Sequence, residues 1–261
     1  MNFLDKSWTD LPQGINRATK YPYDAPNVSF LLDQGILKPL TNTFHLAKKI
    51  PILAIGSNRS PSQLLRKFGK KETVAVTDVI IKNFDVIYAS LISYYGAVPA
   101  TLWPVKGSEV KLSIIWLSNS QLEKMHETEA VGKAYDFVEF DYQLLNFKSF
   151  YNIQGNIYGY VAKFGALNFN LSDLEVKALS AIKAKKRVIS SINQQKALKF
   201  LASRIINGKS KKDTILFRDK VISNKEYRLT VIKKLNRIGV QPHNLPWKII
   251  DNIQSKSIKF Y

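Results

Sequence analysis

Three short constellations in this sequence carry residue types that can do chemistry. The first is Gly56-Ser57-Asn58-Arg59, a turn between the apolar run Pro51-Ile52-Leu53-Ala54-Ile55 and a helix opened by Ser60-Pro61. A glycine turn before a helix gathers unpaired backbone N–H groups at the positive end of the helix dipole, where a carboxylate or phosphate can sit. The same pattern also makes a plain strand-to-helix connection. Arg59-Ser60-Pro61 stands where a Walker loop carries Gly-Lys-Ser/Thr, so nucleoside triphosphate binding by that route is unsupported.

The second constellation ends in Glu129. Leu122 and Met125 stand three apart on the apolar stripe of a helix expected over 119–128, and Glu129 follows Met125 by four. If the helix persists that far, Glu129 projects from the core-facing side. Desolvation there would move a carboxyl toward useful acid–base values; a frayed helix end would instead leave it in water. Glu123 and Glu127 fall on the flank, where solvated carboxylates sit. The third constellation is Tyr94-Tyr95-Gly96-Ala97-Val98-Pro99-Ala100-Thr101, which reads equally as a cleft wall and as a loop entering a strand. No Ser/His/Asp triad can be assembled: His126 points away from Glu129 by helical geometry, and His45 and His243 are isolated. All three histidines read as structural or solvated.

The elements that must position these groups form an α+β pattern. The run 51–55 is a short buried strand, and Ser60 is the candidate N-cap of the next helix, with Pro61 at its first position, Leu64, Leu65 and Phe68 on its apolar face, and Gly69 as its stop. Strand character follows at 74–81 and 84–92, broken at Lys82-Asn83, then at 111–117, 136–145 and 157–164, with Ser118 capping the helix at 119–128. Ser172-Asp173-Leu174-Glu175 fits a capping box, and helical spacing is found near 173–184, 191–207 and 224–238, the last two closed by Gly208 and Gly239. The first fifty residues carry repeated turn punctuation and no lasting period. The expected organisation is an N-terminal arm or lid (1–50), a chemistry-bearing α+β domain (51–168) and a basic helical extension (169–261).

Composition bounds the function. The chain has 261 residues, 45% hydrophobic and 23% charged, with no cysteine, so disulfides, thiolate metal sites, iron–sulfur clusters and cysteine nucleophiles are excluded. The N-terminus lacks a signal-peptide pattern and no run approaches a membrane span, so a cytoplasmic protein is the expectation. Residues 1–150 hold 17 Lys/Arg against 14 Asp/Glu, whereas 151–261 hold 22 against 6. Nearly all of the net charge of +19 therefore sits in the last two-fifths of the chain.

Taken together and in order, the three constellations resemble the gamma-glutamylcyclotransferase-like family. The family's Tyr-Gly-Ser-Asn loop after a strand is similar to Ala54-Ile55-Gly56-Ser57-Asn58-Arg59. Its Gly-x-x-Ala-Thr segment and following strand are similar to Gly96 through Thr101 and then 110–116, with Gly107-Ser108-Glu109 leading in. Its acidic helix, Leu-x-x-Leu-Asp-x-x-Glu-Gly, is similar to Leu122 through Ala130, and the aromatic beyond it corresponds to Tyr135. The resemblance covers about residues 51–165. It implies a small mixed β-barrel with packed helices, and an enzyme that cyclises a gamma-glutamyl amide to 5-oxoproline with release of an amine. Glu129 inherits the acid–base role, and Ile55, Gly56, Ser57, Asn58, Gly96 and Tyr135 the substrate-binding positions, the loop N–H groups holding the α-carboxylate. No metal or organic cofactor is implied. Two positions depart from the pattern: Ile55 replaces the loop tyrosine, deleting a hydroxyl, and Ala130 replaces the glycine after the acid.

Two other readings stand beside the enzyme. One is a non-catalytic small-molecule binding module of the same fold, motivated by Ile55 and Ala130. The other is association with nucleic acid through Lys183-Ala184-Lys185-Lys186-Arg187, Lys209-Ser210-Lys211-Lys212 and Lys233-Lys234-Leu235-Asn236-Arg237, since basic helices grip phosphate backbones without reading sequence. Against it, no nucleic-acid module motif is present, Phe200, Phe217 and Tyr227 fall on core spacing, and a lysine-rich composition inflates charge without such a partner. The scatter of basic residues around these helices argues against a membrane surface.

Overall fold

The structure is a computed structural model that describes residues 8–42, 44–140, 155–170 and 172–251. Its centre is a long antiparallel pair, β4 (Thr73–Tyr88) against β5 (Ala100–Leu117); β1 (Phe30–Asp33), β2 (Ile36–Pro39) and β3 (Ile50–Ala54) precede it in the chain. Their β-branched and aromatic residues suit a pleated surface covered on both sides. The expected break at Lys82-Asn83 is a bulge rather than an end. Asn83 takes a left-handed backbone (φ 63°), its Oδ1 accepts the Gly107 N–H at 2.9 Å, and pairing resumes at Phe84 with Pro104.

Beyond this pair lie α3 (Asn119–Glu129), β6 (Tyr135–Phe140), β7 (Ile157–Ala162) and the short strands β8 (Ala166–Leu167), β9 (Ala178–Leu179), β10 (Ala184–Lys185), β11 (Ser191–Ile192), β12 (Gly239–Val240) and β13 (Trp247–Ile249). The main sheet runs β11-β9-β4-β5-β3-β7-β6-β13, with β3 parallel to β7 and β9 parallel to β11 among otherwise antiparallel neighbours. The architecture is α+β, as expected. The barrel is not: β11 and β13 are opposite edges that do not pair with each other, so the sheet stays open.

Helices cover both faces. In β3, Ile52 and Ala54 join one apolar cluster, with Leu64 and Phe68 of α2 (Pro61–Phe68) and Met125 of α3; Leu53 and the next residue, Ile55, join the other. That second cluster includes Leu198 and Leu201 of α4 (Gln194–Ile206), Phe217 and Val221 of α5 (Lys211–Ser223), and Val231 and Leu235 of α6 (Lys225–Ile238). Further bonds tie these helices to the sheet region. The Gln194 amide donates to Val98 O and accepts the Val98 N–H, and Ser90 Oγ donates to Leu235 O at 2.6 Å. Two basic residues of this region turn inward: Arg218 pairs with Asp219, and buried Arg228 donates to the Val221 carbonyl at the end of α5. No described helix is long and apolar enough to cross a membrane.

Other sequence expectations are corrected. Within the N-terminal fifty residues, β1 and β2 form a hairpin whose first strand pairs with β4, Leu31 opposite Ala75. Four-residue strands are too short to show a period. No helix forms over 173–184. The Glu175 N–H that a capping box would use goes instead to Asn168 Oδ1, and the chain continues into β9 and β10. The capping box found in this half is Ser210 with Asp213, opening α5, a helix hidden in the sequence because Ile215 and Leu216 face outward and blur its apolar stripe. Ser60 occupies the N-cap position of α2 without capping by its side chain; its hydroxyl donates to the Asp24 carbonyl. The segment 141–145, expected to extend β6, lies outside the described residues.

Candidate functional site

The end of β3, the start and last turn of α2, and the end of α3 meet around a cavity of about 100 Å³. Six of the seven residues given site roles from sequence line it: Ile55, Gly56, Ser57, Asn58, Glu129 and Tyr135. Gly96 does not. It has φ 80° and faces α5, where a Cβ would stand 2.9 Å from Arg218 Cγ, while its neighbours Tyr94 and Tyr95 form part of the cavity wall. Tyr135 donates to the Ala100 carbonyl at 3.3 Å.

Glu129 is the last residue of α3, and its side chain is 14% exposed. Ser118 and Gln121 close a capping box at the start of the helix, and Ala130 ends it in a left-handed conformation (φ 50°, ψ 52°). Asn58 Nδ2 donates to Glu129 Oε1 at 3.0 Å, and Lys67 Nζ donates to the same oxygen. Oε2 takes neither bond. The resemblance assigns Asn58 a backbone role, and its side chain in addition fixes the carboxylate.

Lys67 was not anticipated. It lies on the buried stripe of α2 with Leu64 and Phe68, with its side chain 1% exposed and Nζ 3.0 Å from Met125 Sδ. Burial pushes its pKa down, and the Glu129 carboxylate pulls the other way. The i, i+3, i+4 spacing of Leu64, Lys67 and Phe68 was the available signal, masked by the usual exposure of lysine.

Tyr21, from the segment after α1 (Ile15–Thr19), was also missed. Its ring is buried, and its hydroxyl accepts the Ala100 N–H at 3.0 Å. Gly56 makes this approach possible, since a Cβ there would lie 2.2 Å from the Tyr21 oxygen. The phenol oxygen thus lies directly against the loop to which the resemblance assigns the substrate carboxylate. Burial drives the Tyr21 pKa upward, with a further push from Glu129, so the phenol is neutral and keeps its proton. Tyr23 contacts both Tyr21 and Tyr95 in aromatic pairs, and the Arg17 guanidinium lies 4.4 Å from the Tyr95 ring centroid while donating to the Tyr94 hydroxyl at 2.6 Å. The N-terminal segment is thus packed onto the cavity wall.

Tyr160 closes another side. Burial raises its pKa well above the ordinary value, reinforced by Glu129, and its hydroxyl shares a 3.0 Å hydrogen bond with His126 Nδ1. Burial takes His126 down to about 4, so the ring is neutral near pH 7. The described residues hold no cluster of three or more His, Asp or Glu placed to bind a metal. The arrangement is a carboxylate fixed through one oxygen, phenols that keep their protons, and the Arg66 cation in the wall. It can exchange a proton with a ligand and hold an oxygen-rich, zwitterionic group.

No protein-family model and no curated protein sequence matches the chain. Among solved structures it is similar to a gamma-glutamyl cyclotransferase, at 15% identity and a TM-score of 0.35, over 78% of this chain and 94% of the other. It is similar also to an uncharacterized protein from Homo sapiens, at 15% identity and a TM-score of 0.37, over 78% of this chain and 95% of that one. Likenesses this loose place the chain in no family.

Proposed function

We propose that the cavity cyclises a gamma-glutamyl amide to 5-oxoproline with release of an amine. The observation that carries this reading is the meeting of the Glu129 carboxylate with the 55–58 loop in one cavity, linked by the Asn58–Glu129 hydrogen bond. The sequence resemblance named above supplies the chemistry. Glu129 takes a proton from the substrate's α-ammonium, and the freed amine attacks the γ-carbonyl carbon, forming the ring C–N bond. The tetrahedral intermediate then expels the amide nitrogen, which receives the proton held by Glu129, while the ring nitrogen's second proton passes through the regenerated carboxylate to the departing amine, which leaves as an ammonium ion. One fixed carboxylate serves both transfers, and the cavity holds amine and carbonyl close enough for an intramolecular attack.

A second reading, binding without turnover, is favoured by one observation. The Lys67 ammonium is spent on Glu129, so the carboxylate is held as well as poised. A 5-oxoproline release assay over a panel of gamma-glutamyl amides, with wild type beside Glu129→Gln, separates the two. Release that falls by roughly 100-fold or more in the variant supports catalysis. Ligand-induced thermal stabilisation with no release supports binding alone, and full activity in Glu129→Gln removes the mechanism.

A further inference from the structure

The Tyr21 hydroxyl sits on the cavity wall against the 55–58 loop, 2.2 Å from where a Cβ on Gly56 would stand. The Ala100 N–H donates to its oxygen at 3.0 Å. Donation to a phenol oxygen polarises the O–H bond and strengthens it as a donor. The described residues offer that hydrogen no acceptor, yet the side chain is only 6% exposed and lines the cavity. A buried, polarised donor without an acceptor calls for one in the ligand.

Charge decides which ligand oxygen it is. Lys67 and Glu129 offset one another, and Arg66 adds a positive charge to the same wall. The cavity therefore suits a zwitterion whose ammonium meets Glu129 and whose anionic oxygen meets the Tyr21 hydroxyl.

We infer that Tyr21, supplied by the N-terminal segment, is the residue that binds the α-carboxylate of the ligand. The assignment rests on the gamma-glutamyl reading above and changes one part of it: the carboxylate is held by a phenol from the N-terminal segment rather than by the loop N–H groups alone. The hydroxyl deleted by Ile55 is thereby matched by one that arrives 79 positions from its Ala100 partner in sequence.

The test is a binding cycle between protein and ligand, read by isothermal titration and ligand-observed NMR. The probes are 5-oxoproline and 2-pyrrolidone, the same ring without the carboxylate, and the proteins are wild type and Tyr21→Phe. A lost hydrogen bond to a charged group predicts roughly 10- to 100-fold weaker 5-oxoproline binding, with 2-pyrrolidone binding unchanged within about twofold. Equal loss for both probes makes Tyr21 a structural residue and overturns the assignment, as does unchanged 5-oxoproline affinity. Should Tyr21→Phe fail to fold, 3-fluorotyrosine at position 21 keeps the shape and acidifies the phenol. It must then tighten 5-oxoproline binding selectively, and failure to do so overturns the assignment. Gamma-glutamyl turnover measured alongside separates the layers. A wild type that binds neither probe and releases no 5-oxoproline defeats the gamma-glutamyl reading and this assignment with it. A wild type that turns over while Tyr21→Phe keeps its 5-oxoproline affinity defeats the assignment alone.

Discussion

Two buried ion pairs in this molecule look alike in kind and differ in completeness. Asp85 on β4 is fully buried and receives Arg187 in fork geometry, Nε to Oδ2 at 2.7 Å and Nη2 to Oδ1 at 2.8 Å. Oδ1 also takes the Val86 N–H, and Nη2 reaches the Ile182 carbonyl. Both oxygens are occupied, and the pair ties the 182–187 segment to the central strand. Glu129 by contrast is bonded through one oxygen, by Lys67 and Asn58, and lines the cavity. A saturated pair can only hold structure, whereas a pair with an oxygen in reserve can also meet a ligand.

That contrast is broken most directly by removing each carboxylate. Glu129→Gln should lower 5-oxoproline release by about 100-fold or more while the amide oxygen still accepts from Lys67. Asp85→Ala should do the reverse in character. It strands a buried guanidinium, so the denaturant midpoint should fall by an amount worth about 3–5 kcal/mol, with release per folded molecule retained. If Asp85→Ala unfolds no more readily than wild type, the saturated pair is not what anchors the 182–187 segment.

The same contrast shows what a sequence can disclose. Glu129 was legible because it continues a helical stripe set by Leu122 and Met125, and the loop was legible because Gly56 sits between an apolar strand and Pro61. Local periodicity carries such signals. Tyr21 and Arg187 were not legible, because their partners lie far along the chain and no period connects them. The helix expected at 173–184 failed for a related reason: Asn168 captures the Glu175 N–H, a choice made by side-chain competition rather than propensity. The open sheet likewise depends on which edges meet, and the spacing of its strands does not say.

A finer test compares the coupling within each pair. Double-mutant cycles on Lys67→Met with Glu129→Gln, and on Arg187→Met with Asp85→Asn, should both show non-additivity in the range of about 0.5–3 kcal/mol. The larger value is expected for Arg187 and Asp85, whose bonds are bidentate and sealed from the cavity. Lys67 adds a pH signature. Burial holds its pKa below the ordinary 10.5, so the unfolded chain keeps that proton to higher pH than the folded one. Wild-type stability should therefore gain from this group as pH rises toward 10.5, and Lys67→Met should remove that gain. Identical pH profiles for the two proteins would place Lys67 outside the titrating set.

The smallest effect concerns the backbone that delivers Glu129. Ala130 sits where the resembling family carries glycine, and its φ of 50° is the conformation glycine adopts freely. The turn is fixed by its surroundings: the Ala130 and Val131 N–H groups donate to the Glu127 and His126 carbonyls, and the Ala130 carbonyl accepts from Ala134. A left-handed alanine costs about 1–2 kcal/mol. Glycine would relieve this while giving up a buried methyl and gaining freedom in the unfolded chain, terms of about 0.5–1 kcal/mol each. Ala130→Gly should therefore shift stability by no more than about 1 kcal/mol in either direction, measured by denaturant unfolding. A larger loss would mean that the methyl, packed between the cavity wall and the core, helps to hold the end of α3, and the departure at Ala130 would then be part of how this chain aims its carboxylate.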